Sequence, residues 1–347
     1  MPNLNTRMPI NQFTAFYPSK PFWAGNKVDF SDQSRKSWFH DQMEEEVFSH
    51  ETSAYTIKIC RDGRIMLRIE ALEKVQPNEG NVAISIDATV KTWGKYLDFL
   101  NAFYLLLDSA TIEISKVCYF NLHEITNRDA FRVHYEGGKC IGENIAMESI
   151  ASVFQMGRYL SSYRSSVPIQ NDPKITMRHV ITLDVIQYAV AEFTKVIATS
   201  GLEKTLSSFA KSLSEYKVGN YETSIILSWF ITEAALSQLW KNHIDILNTD
   251  FLGGRKRINR DRKDFLTGRD FTISMILNLL ELWGALPHAQ FQDIDAVRGF
   301  RNKIVHNHNF APGMKEAQLA LNTAKAMVDR IWGLRFTPSL GYSVTGL

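Results

Sequence analysis

From about residue 179 to residue 334 the apolar residues recur at intervals of three and four. That is the period of a helix burying one side, and it breaks only at Gly253-Gly254, Pro287 and Pro312-Gly313. Helices are expected over residues 179–199, 202–216, 221–243, 272–286, 294–306 and 314–334, with no strand among them. Amphipathic helices joined by short breaks bury their apolar sides against one another, so this half reads as an all-α bundle.

The first half reads differently. Residues 55–60 and 64–70 are rich in β-branched and aromatic residues and flank Arg61-Asp62-Gly63, a hairpin signal. Residues 82–86 alternate in the same way, 93–107 read as a helix, and 113–122 and 131–135 read as strands, the last stopping at Gly137-Gly138. A helix is expected over 146–160. Residues 1–50, with Pro2, Pro9, Pro18 and Pro21, read as irregular. Pro168, Asn171-Asp172 and Pro173 mark a boundary. The expectation is an α+β domain over residues 1–172, followed by a helical domain over 176–347.

With 347 residues, 45% of them hydrophobic, the chain has material for two cores. Thirty-nine Lys and Arg balance 37 Asp and Glu. A near-neutral total excludes a globally basic nucleic-acid binder and leaves any polyanion contact to a local patch. Cys60, Cys118 and Cys140 are an odd number without zinc-type spacing and read as buried, reduced thiols. The N-terminus lacks the apolar run of a secretory leader, and no stretch of 18 uncharged apolar residues occurs, so the expectation is a cytoplasmic chain with no membrane contact. No GxGxxG, Walker-type lysine loop, HExxH or GxSxG is present, and no cofactor or metal is called for.

The chemistry concentrates at Arg298-Gly299-Phe300-Arg301-Asn302-Lys303-Ile304-Val305-His306. On a helix, Arg298, Asn302 and His306 lie four apart on one face, while Arg301 stands about 140° round from His306. A histidine can move a proton on or off a ribose 2′-hydroxyl or a leaving 5′-oxygen near neutral pH. An arginine fork holds phosphate oxygens as charge builds on them, and an asparagine can orient the imidazole or hydrogen-bond the substrate. One helix supplies one histidine, cleavage works best with both an acid and a base, and a symmetric dimer would supply the pair. The bare spacing is unspecific: Arg35 and His40 share it, and Arg128 and His134 come close. Asn302, Phe300, Val305 and the helical setting distinguish the C-terminal copy.

This pattern resembles the HEPN superfamily, helical domains whose signature is Arg, often a polar residue such as Asn, and His after four to six residues. The resemblance covers about residues 176–335 and is closest to the C-terminal modules of ApeA-like bacterial defence proteins. Residues 1–172 match no family. The resemblance implies a metal-independent endoribonuclease, homodimeric through this domain, leaving 2′,3′-cyclic phosphate and 5′-hydroxyl ends in a toxin–antitoxin or anti-phage setting. It places Arg301 and His306 at the catalytic positions and Asn302 at the polar one, with RNA and an antitoxin or trigger protein as partners. It also admits a non-catalytic module that binds RNA or a partner protein.

Other residues carry two readings. Glu233, on the apolar side of its helix, is either half of an internal ion pair or a group aligning Arg301 or His306. Arg298 is either a surface arginine or a phosphate contact. Residues 253–270 hold seven basic residues against three acidic ones. They are either a solvated loop or a basic flap in which Arg255, Lys256, Arg257, Arg260, Arg262 and Lys263 meet RNA phosphates. Phe265 and Phe271 are anchors or base-stacking rings. Trp229, Trp240, Trp283 and Trp332 read as core aromatics, and His308 beside His306 is not read as a metal pair.

Overall fold

The computed structural model of the chain describes residues 12–29, 39–73, 82–137, 139–144, 173–251, 254–268, 270–307 and 309–341. The chain divides into two units. The first runs to Ser207 and takes in Thr337–Ser339; the second runs from Ser208 to Phe336. The stretch 165–172 and the helix expected over 146–160 lie outside the described residues.

The strands of the first unit are β1 (Gln12–Phe16), β2 (Phe22–Ala24), β3 (Glu46–Glu51), β4 (Tyr55–Cys60), β5 (Ile65–Ile69), β6 (Phe131–Glu136), β7 (Lys139–Asn144) and β8 (His179–Ile181). Six of them form an antiparallel sheet in the order β3-β4-β5-β1-β6-β7. β2 and β8 pair separately, in parallel. The helices are α1 (Phe39–Glu44), α2 (Glu70–Glu73), α3 (Val82–Ser115), α4 (Pro173–Thr176), α5 (Leu183–Ala198) and α6 (Leu202–Lys217), the last containing the unit boundary.

The β4–β5 hairpin forms where the sequence places it. Gly63 turns at φ +90°, and a Cβ there would lie 2.9 Å from the Phe22 ring, so both the conformation and the space demand glycine. The register sets Ile59 opposite Ile65, Ile57 opposite Leu67 and Tyr55 opposite Ile69. That row shares one face of the sheet. On this face Phe193 of α5 meets Tyr55, Phe99 and Phe103 edge-on, with centroids 5.4–6.3 Å apart. The opposite face gathers Phe13, Ala15, Met66, Phe131 and Val133.

Several expectations fail here, each for a physical reason. Residues 82–86 begin α3 instead of a strand, and 113–115 end it. Every residue from Leu100 to Thr111 is buried, and a helix enclosed all round needs no amphipathic period to hold it. The isoleucines and valines of α3 flank that buried stretch, and continuity with its helix overrides their β-propensity. Residues 116–122 have no regular structure; Asn101 holds the chain just beyond them, bonding the Ile125 carbonyl at 2.8 Å and its N–H at 2.7 Å. β1, β2, α1 and β3 occupy a region read as irregular. β8 takes the start of what was expected as a helix, since Thr182 is the N-cap of α5. Cys60 is buried but Cys118 is exposed.

The second unit continues with α7 (Tyr221–Leu247), a ribbon of β9 (Asp250–Phe251) and β10 (Arg255–Lys256), α8 (Arg260–Leu266), α9 (Ile273–Leu282), α10 (His288–His306) and α11 (Met314–Trp332). The ribbon and α8 fall in a stretch read as strand-free and looped. α7 packs along α11 and against α9 and α10. Ala317, Ala320, Leu321, Ala324 and Val328 are fully buried, and the small side chains let the α11 backbone come close. At the α6–α7 contact, buried hydroxyls bond one another: Ser212 Oγ lies 2.8 Å from both the Ser224 carbonyl and Ser228 Oγ. Among the described residues no helix is long and apolar enough to cross a membrane.

The sheet-to-helix packing rests on Phe193. Phe193→Ala should cost about 3–5 kcal/mol in urea unfolding, whereas Phe230→Ala, at a ring 53% exposed, should stay within about 0.5 kcal/mol.

Candidate functional site

α10 carries the Arg301–His306 signature. Its anchors are Ile294 and Val297, both fully buried. At about 100° per residue, Arg301 falls on the side of these two anchors and His306 on the far side. Burial follows the wheel: Arg301, Asn302 and Ile304 are half-buried, while Lys303, Val305 and His306 are exposed.

The 140° between the guanidinium and the imidazole is bridged by Asn302. Arg301 Nη1 donates to Asn302 Oδ1 at 3.1 Å. Asn302 lies one turn before His306, only about 40° from it round the helix. The asparagine oxygen thus draws the guanidinium from the bundle side toward the histidine side. His306 has no hydrogen bond or ion pair among the described residues, and its ring stands at the open end of the helix.

The helix stops directly after His306. Asn307 N–H bonds the Lys303 carbonyl at 2.7 Å, and Phe310 N–H bonds the Asn307 carbonyl at 3.0 Å. Phe310 then stacks on Phe300 at 6.4 Å, with Lys303 Nζ 5.4 Å above the Phe310 ring. These contacts fold the following turn back onto the helix end. His308 lies outside the described residues.

The supporting candidates sort one by one. Arg298 is tied to Asp295 on its own helix, with Nη2 at 2.6 Å and Nε at 3.0 Å from one carboxylate oxygen. It is a paired surface arginine. Glu233 is half-buried, and its carboxylate bonds neither Arg301 nor His306. In the basic stretch, Lys256 pairs with Asp250 at 2.9 Å and Lys263 with Asp245 at 2.6 Å. Arg260 approaches Asp264 only to 3.9 Å and is 93% exposed. Arg255, Arg257 and Arg262 are exposed, with no ion pair among the described residues. No cluster of three His, Cys, Asp or Glu suited to a metal occurs among the described residues.

Two features were missed from the sequence. Trp283 is 49% exposed, unlike Trp229 and Trp240, which are buried. The reason is position: it caps the end of α9, where Gly284 turns at φ +69°, so its helical spacing does not carry inward. In the first unit, a cavity of about 340 Å³ is lined by Glu73, Trp93, Tyr96 and Arg132. Glu73 accepts from Tyr96 Oη and, at 3.1 Å, from Arg132. Burial, reinforced by the Glu73 carboxylate, pushes the Tyr96 hydroxyl far above the ordinary phenol range. No spacing rule could find this trio, because its members come from α2, α3 and β6 and meet only in the folded unit.

Comparison with protein-family models, curated proteins and solved structures finds no match to this chain.

The anchoring of α10 is open to measurement. Ile294→Ala should cost about 2–5 kcal/mol in urea unfolding. Arg298→Ala, which breaks only a half-exposed pair, should cost less than about 1 kcal/mol.

Proposed function

We propose that this chain is a metal-independent endoribonuclease of the HEPN type, with Arg301, Asn302 and His306 as its catalytic set. One observation carries the reading: the Arg301 guanidinium is held by Asn302 on the side of an exposed His306, unpartnered among the described residues, at the end of a helix in a mainly helical unit. A cytoplasmic defence or toxin–antitoxin role, with an antitoxin or trigger protein, goes with the same resemblance.

In this mechanism two copies of the chain bring their α10 ends to one phosphodiester. The imidazole of one copy takes the proton of the ribose 2′-hydroxyl. The 2′-oxygen forms a bond to phosphorus and the bond from phosphorus to the 5′-oxygen breaks. The protonated imidazole of the other copy delivers its proton to that leaving oxygen. Arg301 binds the non-bridging oxygens, where charge rises in the transition state, and Asn302 keeps the guanidinium aimed. The products are a 2′,3′-cyclic phosphate and a 5′-hydroxyl.

The non-catalytic reading has one observation in its favour. A guanidinium bonded within its own chain is also what a purely structural arginine shows. Cleavage of a labelled RNA with EDTA present separates the two. His306→Ala should slow it by about 10²–10⁴ and Arg301→Ala by about 10²–10³, with cyclic phosphate ends on the wild-type product. Undiminished cleavage by His306→Ala, or cleavage abolished by EDTA, would discard the proposal.

A further inference from the structure

A column of aromatic rings runs through one end of the second unit to its surface. Phe265 of α8 meets Phe271 edge-on at 5.6 Å. Phe271 stacks on Trp240 at 5.7 Å, and Trp240 stacks on Trp283 at 5.6 Å, their planes within 15°. Trp283 also stacks on His243 at 5.3 Å. Trp240 and His243, three residues apart on α7, both stack against Trp283. The ring is held by these two contacts and is still 49% exposed. Leu282, next to it in sequence, is 74% exposed, and Ile246, three residues beyond His243 on α7, is 73% exposed.

The basic stretch is fastened to this column. Trp240 Nε1 donates to the Leu266 carbonyl at 2.7 Å, and Lys263 Nζ reaches Asp245 at 2.6 Å. Ile258 N–H donates to Asn248 Oδ1 at 2.8 Å. Asn259 caps α8 through the Arg262 N–H at 2.9 Å. Lys263 fastens to α7, and Lys256 to β9, the segment whose Arg255, Arg257 and Arg262 stay exposed.

We propose that this surface binds single-stranded RNA, with an unpaired base stacked on Trp283 and the three arginines on flanking phosphates. A rigid aromatic face next to unpaired guanidiniums is the combination that single-strand binders use, since every base has a π-face and every linkage a charge. A duplex hides its base faces and can use only the arginines. The charge argues for a polyanion over an apolar protein partner. The choice of RNA over DNA rests on the nuclease reading; the surface itself is separate from His306.

The test is fluorescence anisotropy with a 12-nucleotide RNA on the His306→Ala protein, where turnover cannot interfere, and on wild type in parallel. The single strand should bind more tightly than a blunt duplex of the same length. Trp283→Ala should weaken binding by about 5- to 150-fold, the span of base–aromatic stacking, and Trp283→Phe should restore most of it. The double variant Arg257→Gln/Arg262→Gln, at side chains that hold no part of the fold, should make the salt dependence shallower by about 1.4 in log–log slope. Binding unchanged in Trp283→Ala and in the arginine variant overturns the proposal. So does a duplex bound as well as the single strand, or a Trp283 variant that alters the oligomeric state while RNA affinity stands. Because no cleavage is read, a chain that binds RNA but never cuts it contradicts only the nuclease reading.

Discussion

Arg301 and His306 stand about 140° apart on one helix, and the chemistry open to them depends on how that angle is closed. The bundle fixes one side of it. Ile294 and Val297 are fully buried, so α10 cannot rotate to present both groups equally. Arg301 is left on the packed side and His306 on the open side. Asn302 closes the gap from within the chain by holding the guanidinium at 3.1 Å. In the proposed nuclease the asparagine positions the guanidinium, and the exposed imidazole meets the second copy.

The same helix shows how much chemistry was legible in the sequence. The Arg–Asn–His spacing, the helical period and the stop near Asn307 locate α10 to within a few residues at its C-terminal end. The Arg298–Asp295 pair was not legible, because i,i+3 contacts compete with any outward role and only the rotamer decides. Glu233 shows the opposite error. A carboxylate among apolar neighbours suggests burial, yet it is half-exposed and needs no partner. Trp283 was assigned inward from spacing alone, but spacing ends where the helix ends.

In the first unit, the local signal held where turn chemistry fixed it, failed at residues 82–86 and 113–122, and the long-range signals were hidden. The β4–β5 hairpin depends on a glycine at positive φ between two β-rich runs, all within sixteen residues of sequence, and it was readable. The central strand β1 was not, because its partners β5 and β6 lie about 50 and 120 residues away and prolines surround it. α3 was half-read because its buried middle, which only the tertiary structure reveals, carries β-rich ends along as helix. The Glu73–Tyr96–Arg132 trio draws one residue each from α2, α3 and β6.

The central claim is that two imidazoles, one from each copy, act at a single phosphate. Its most direct test is single-turnover RNA cleavage by mixed dimers, in which one copy is wild type and the other carries His306→Ala. A shared site predicts that these dimers cleave about as slowly as those with both histidines removed, a loss of about 10²–10⁴. Mixed dimers that keep half the wild-type rate would show that each copy acts alone, and would contradict the account.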